Sequence, residues 1–229
     1  AKDADLIVFC SPVQSIGKLA MEMAPHIKPG CLVTDVGSTK EALVLKMEKL
    51  FPKNVFFVGA HPIAGSEKSG FHASSETLYN GIHCIATPTD KTNPSALQRV
   101  IELWTAIGSK VSTMSPKEHD FIFGAVSHLP HVLIFALMNT LGNLKSENHN
   151  QITSFAGTGL RDITRIAGSE PAMWRDICIS NKDSILCCLS QFQETLNHLK
   201  LGIEQENGIL LTQQFETANQ HRLNMVNNA

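Results

Sequence analysis

His61 closes a short apolar run, Val55 to Ala60, and is followed by Pro62 and a loop carrying Gly65, Ser66, Glu67, Lys68, Ser69 and Gly70. A histidine just past the carboxyl end of a strand sits where α/β proteins bind ligands, and it can move a proton near neutral pH. Glycines beside it permit close backbone approach. The same residues also suit an ordinary solvated loop. A second group is Asp120, Gly124, Ser127 and His131, spaced i, i+4, i+7 and i+11, which puts them on one stripe of an apolar helix. Such a stripe needs partners or a wet cavity; a core histidine with its bonds satisfied is the alternative. A third group is Arg161 and Arg165, one helical turn apart. Two guanidinium groups could clamp an anion, or they could form an ion-pair network with Asp162. A metal site from His119, His128 and His131 is disfavoured, because His119 and His128 project apart around a helix and no zinc-enzyme spacing occurs.

The elements that must position these groups alternate in the first half. Strands are expected at Leu6–Cys10, Cys31–Val36, Val55–Ala60, His83–Thr87 and Lys110–Met114. Helices are expected at Val13–His26, Lys40–Phe51 and Pro94–Ile107, the last opened by proline and closed by Gly108. This alternation indicates an α/β fold with a parallel, doubly wound sheet. Ser115-Pro116-Lys117-Glu118 is a capping box. Beyond it the pattern is all-α, with helices expected at Pro116–Leu144, Leu160–Ala167, Pro171–Leu201 and Glu204–Val226. Pro130 is expected to kink the first of these, whose apolar length suits a bundle interior or a subunit interface. Trp174, after the Pro171 helix start, reads as a core or interface aromatic. The boundary falls near residue 115.

The 229 residues are 43% hydrophobic and 17% charged, with a formal net charge of −2, so a sizeable core is affordable and global disorder is excluded. With no basic block, no nucleic-acid footprint is expected. Six scattered cysteines without a CxxC suggest reduced thiols in a cytoplasm. No apolar run is expected to reach membrane-span length, and no signal peptide is visible. The chain enters an apolar strand within six residues of Ala1, which suggests that an amino-terminal portion precedes it.

Five motifs together resemble the prephenate dehydrogenase family, which includes arogenate dehydrogenases. They are Asp35-Val36-Gly37-Ser38-Thr39-Lys40, the run from His61 to Gly70, Ser127-His128-Leu129-Pro130-His131, the run from Asp162 to Ala167, and Met173-Trp174-Arg175-Asp176. They occur in the family's order across nearly the whole chain. The resemblance implies a Rossmann-like domain remainder over residues 1–115 and a helical substrate-binding and dimerisation domain over residues 116–229. It implies oxidative decarboxylation of prephenate to 4-hydroxyphenylpyruvate with NAD or NADP, in tyrosine biosynthesis. By the same resemblance His61 takes the ring-hydroxyl proton and Ser38 positions the hydroxyl and the nicotinamide end. Arg165 binds a substrate carboxylate, His131 recognises the side-chain end, Glu67 lies near the pocket mouth, and Asp120 orients pocket groups. The cofactor falls to Ser11, Pro12, Val13, Gly37 and Ser38. A homodimer is implied, with tyrosine a candidate inhibitor.

The family's G-x-G-x-x-G turn, which seats a pyrophosphate on a helix amino terminus, does not occur in these residues. The expectation is that the chain as given does not bind the dinucleotide normally. Two other readings stay open at this stage: an arogenate dehydrogenase, with His131 as the discriminating position, and a dimerising or tyrosine-sensing module without catalysis.

Overall fold

The computed structural model describes residues 1–65, 74–145 and 152–227. Five strands, β1 (Leu6–Phe9), β2 (Leu32–Asp35), β3 (Phe56–Pro62), β4 (His83–Thr87) and β5 (Lys110–Thr113), form one sheet in sequential order. Helices α1 (Val13–Met23), α2 (Glu41–Leu50) and α3 (Pro94–Ala106) connect them. Successive strand residues point to opposite faces. Val33 and Phe57 therefore pack with Ile16, Ala20, Val44 and Met47 of α1 and α2. Leu32 and Val58 pack on the other side with Ala96, Val100 and Trp104 of α3. Helices cover both faces of this Rossmann-like sheet, which is why its inner strands are continuous apolar runs.

One pairing departs from the expected parallel sheet. β3 and β4 run antiparallel, with Ala60 opposite Ala86 and His61 opposite Ile85. The other three pairings are parallel. A strand buried on both faces carries the same apolar pattern in either direction, so its sequence does not encode its polarity. The pairing also lengthens β3. His61 is a strand residue, not the first residue of a loop, and Pro62 sits at the strand's end, where a missing N–H is tolerated.

The helical part begins with α4 (Pro116–Phe123), whose Ser115 hydroxyl accepts from Glu118 N at 3.1 Å, as the capping box requires. The expected single helix to Leu144 is interrupted by a π-turn, Gly124–His128, before α5 (Leu129–Asn143). Pro130 explains it: the ring has no N–H for the Val126 carbonyl and would collide with it in a regular turn. Next come α6 (Thr158–Thr164), a 3₁₀ turn at Arg165–Gly168, and α7 (Pro171–Ser180). The expected helix Pro171–Leu201 is broken at Asn181, which leaves helical geometry at φ −112°, and α8 (Lys182–Glu204) starts after it. α9 (Gly208–Asn227) is the last element among the described residues.

The continuous stretch Pro116–Asn143, 28 residues, is long and apolar enough to cross a membrane by those two criteria, which corrects the expectation that no run is. A core helix passes the same test. Here His119, Asp120 and His128 within it are buried and bonded to protein groups. Two compact units are present, Ala1–Ile185 and Leu186–Ala229. The sheet and helices α4 to α7 belong to the first. In the second, Gly202 lies so close to Leu211 that an added Cβ would meet its Cδ2 at 2.9 Å.

Candidate active site

A cleft of about 660 Å³ opens in the first unit, lined from the sheet side by Ser38 and His61 and from the helical side by Ser127, His131, Arg165 and Trp174. Each element supplies its residue for a local reason. Ser38 lies in the turn between β2 and α2. Asp35 at the end of β2 shapes that turn: its Oδ2 accepts from Gly37 N at 2.8 Å and from the Lys40 ammonium, and its Oδ1 accepts from Ala60 N at 3.2 Å. One carboxylate thus ties the Ser38 turn to the backbone beside His61.

His61 is half-buried in the cleft wall. Its Nδ1 lies 2.8 Å from His119 Nε2, and its ring stands edge-on to His119 and Phe123 at centroid distances of 5.0 Å. His119 is fully buried, and its Nδ1 lies 2.8 Å from Asp120 Oδ1. Burial, with His119, Lys40 and His128 nearby, holds the His61 pKa well below the ordinary histidine range. Burial also lowers the His119 pKa, although Asp120 opposes it. Both rings are therefore neutral near pH 7.

His131 donates from Nδ1 to the Ser127 carbonyl at 2.9 Å and stacks on Trp174 at a centroid distance of 3.7 Å. That bond leaves Nε2 as the ring nitrogen available to a ligand. Burial lowers the His131 pKa, and the Arg165 charge adds to this. Arg165, in the 3₁₀ turn after α6, is exposed and lines the same cleft. Arg161, its neighbour one turn back, does not line it.

The expected polar stripe divides at the π-turn. Ser127 and His131 reach the cleft, whereas Asp120 and Gly124 do not. A position for a side chain at Gly124 would lie 3.0 Å from Ser184. Asp120 instead accepts from Lys40 N at 2.7 Å and Glu41 N at 2.9 Å, so it caps the first turn of α2. Glu67 lies outside the described residues. Two residues not anticipated from the sequence complete the network. Asn181 Nδ2 donates to the Asp120 carbonyl at 2.6 Å and to His128 Nδ1 at 3.0 Å. His119 connects Asp120 to His61. The available signal was a histidine adjacent to Asp120 and one turn before Phe123, on a helix facing the sheet.

Among the described residues no group of three histidine, cysteine or acidic side chains is arranged to hold a metal ion. Ser11, Pro12 and Val13 lie just after β1, next to the Gly37–Ser38 turn after β2, because Phe9 is registered against Asp35. The Ser11 hydroxyl is buried without a hydrogen-bond partner. The first turn of α1 has no side-chain cap. An orphaned hydroxyl and uncapped amides at the carboxyl ends of parallel strands fit the polar parts of a dinucleotide. None of the three lines the cleft around His61; Val13 lines a smaller cavity with Gln14, Gly17 and Lys46.

Comparison with known proteins agrees with this geometry. Residues 1–113 match the prephenate dehydrogenase nucleotide-binding domain, and residues 115–217 match the prephenate dehydrogenase dimerization domain. The chain is 37% identical over 223 residues to the prephenate dehydrogenase of Bacillus subtilis (strain 168), covering 96% of this chain and 60% of that protein's length. It superposes on the crystal structure of prephenate dehydrogenase from A. aeolicus in complex with hydroxyphenyl propionate and NAD+, with a TM-score of 0.90 and 39% identity over 96% of this chain and 76% of that one. The crystal structure of Synechocystis arogenate dehydrogenase matches with a TM-score of 0.83 and 27% identity, covering 98% and 80%.

Proposed function

The chain belongs to the prephenate dehydrogenase family, and on that premise we propose that the protein oxidatively decarboxylates prephenate to 4-hydroxyphenylpyruvate, with NAD or NADP as oxidant. The observation that carries this reading is a neutral His61 that lines one cleft with Ser38, Arg165 and His131. Prephenate is a dianion with a ring hydroxyl at one end, and the cleft offers a proton acceptor at one wall and a guanidinium at the other.

His61 accepts the ring-hydroxyl proton at Nε2, since Nδ1 faces His119. The Ser38 hydroxyl positions the reacting oxygen. Arg165 binds a carboxylate, for which a planar guanidinium is geometrically suited. His131, held by Ser127 and Trp174, meets the side-chain end. When bound, the nicotinamide dinucleotide supplies the hydride acceptor; Ser11, Pro12, Val13, Gly37 and Ser38 are the residues that would hold it. The ring carboxylate leaves as CO2, and the electrons of its carbon–carbon bond restore the aromatic ring. The proton held by His61 returns to the product's phenolic oxygen, so no net proton is released. The protein's main contributions are positioning and this one proton transfer.

The helical half supports a homodimer: α5 is largely apolar yet has no buried residue, and its matched domain is named for dimerization. Tyrosine carries the product's hydroxyphenyl ring, which supports the reading of it as an inhibitor that competes for the same cleft. The unpaired cysteines are compatible with a reducing cytoplasm. Turnover assays of the full-length protein on prephenate and arogenate, with each dinucleotide, test the reading. It expects 4-hydroxyphenylpyruvate and CO2 from prephenate at the higher kcat/KM; a preference for arogenate, or no turnover of either, would refute it.

A further inference from the structure

We propose that His119 is a positioning residue that keeps the cleft-facing nitrogen of His61, Nε2, unprotonated, and that Asp120 sets His119 in the one tautomer able to do so. The inference rests on the reading of His61 as proton acceptor. It names the device that makes His61 Nε2, and not Nδ1, the accepting atom.

A pair of neutral imidazoles joined by one hydrogen bond has two arrangements. In one, His61 donates from Nδ1 and presents a lone pair at Nε2. In the other, His61 accepts at Nδ1 and presents an N–H at Nε2, which cannot take a proton. The two rings alone do not choose between them; a third group is needed, and the structure supplies it. Asp120 Oδ1 faces both Lys40 N and His119 Nδ1, and Oδ2 faces Glu41 N. Each oxygen receives a backbone N–H that cannot be removed, so the group acts as a carboxylate that only accepts. His119 must then carry its proton on Nδ1, its Nε2 must accept, and His61 must donate from Nδ1 across 2.8 Å.

The chain of dependence is stiff at its far end. Asp120 is pinned by the first turn of α2, and its own carbonyl accepts from Asn181, so the carboxylate is not free to follow a different tautomer. All the rings are packed: His119 lies against Phe123 at a centroid distance of 4.5 Å. Lys40 and Ser38 share the turn that Asp120 holds, so the same carboxylate both sets the tautomer of the base and holds the turn that carries Ser38, which lines the same cleft. No proton travels along the chain. After His61 has taken a proton at Nε2, its Nδ1–H still donates to His119, and Asp120 remains the nearby negative charge.

The test is nitrogen-15 NMR of histidine-labelled chain, which distinguishes protonated from unprotonated ring nitrogens, joined to steady-state kinetics. The expected spectrum has His61 protonated at Nδ1 and bare at Nε2. His119→Gln can offer its carbonyl to His61 and its amide to Asp120, so it keeps that tautomer. His119→Leu, which can do neither, gives a mixture and lowers kcat on the order of tenfold more than His119→Gln, with KM for prephenate little changed. If His119→Leu fails to fold, His119→Asn, too short to bridge the two partners, takes its place with the same expectation. A His61 proton on Nε2 in the unaltered chain, or an unchanged tautomer in His119→Leu or His119→Asn, overturns the proposal. If the spectra behave as expected but His61→Asn retains full activity, the tautomer device stands and the reading of His61 as base fails.

Discussion

The Lys40 ammonium is paired with the Asp35 carboxylate at a position where neither side chain has any exposed area. Asp35 also accepts from Gly37 N and Ala60 N, so the pair anchors the Ser38 turn and the approach to His61 together. Removing the cation leaves a buried carboxylate with only neutral donors. Lys40→Met is expected to lower the unfolding free energy by about 3–5 kcal/mol in chemical denaturation. The exposed pair of Lys28 with Asp5 is the control: Lys28→Ala should leave the denaturation midpoint in place.

Acid should destabilise the fold earlier than surface charges would suggest. Burial pushes the His128 pKa down to about 4, so in the folded chain it stays neutral while an unfolded histidine binds a proton below about pH 6.5. Between those values the unfolded state holds more protons, and stability falls as pH falls. The loss from His128 approaches about 3 kcal/mol by pH 4, and the lowered pKa values of His61, His119 and His131 act in the same direction. Denaturation free energies measured at pH 7 and pH 5 should show the decline. A flat profile would contradict the neutral, buried state of these rings.

Arg165 is exposed at the cleft and is assigned to a substrate carboxylate. Arg165→Lys keeps the charge but loses the planar fork, and it is expected to raise KM for prephenate roughly tenfold or more with a smaller change in kcat. Arg161→Lys, outside the cleft, should leave KM unchanged. Equal effects at the two positions would remove the distinction between them.

Much of this arrangement can be read from residue order. The α/β alternation, the helix starts at Pro94 and Pro116, and the position of His61 at the end of a strand follow from apolar period and capping chemistry, which act locally. What could not be read depends on partners distant in sequence. The antiparallel pairing of β4 with β3 could not be read, because an apolar run has no direction. The regular stripe from Asp120 to His131 assumed an unbroken α-helix, and the π-turn that accommodates Pro130 turned Ser127 and His131 toward the cleft and left Asp120 on α2. His119 looked like an off-face histidine because its role exists only once α4 lies against β3. Asn181 gave no signal beyond being a polar residue inside an apparently continuous helix.

The measurement that bears most directly on the assignment of His61 is the steady-state kinetics of His61→Asn in the full-length protein with prephenate, at saturating dinucleotide. Asparagine fills much of the same space but has no basic nitrogen. If His61 takes the hydroxyl proton in the cleft, kcat falls by roughly 10²–10⁴-fold while KM for prephenate shifts by no more than about threefold. A variant that turns over prephenate at a kcat close to that of the unaltered protein would contradict the assignment of His61 as the proton acceptor.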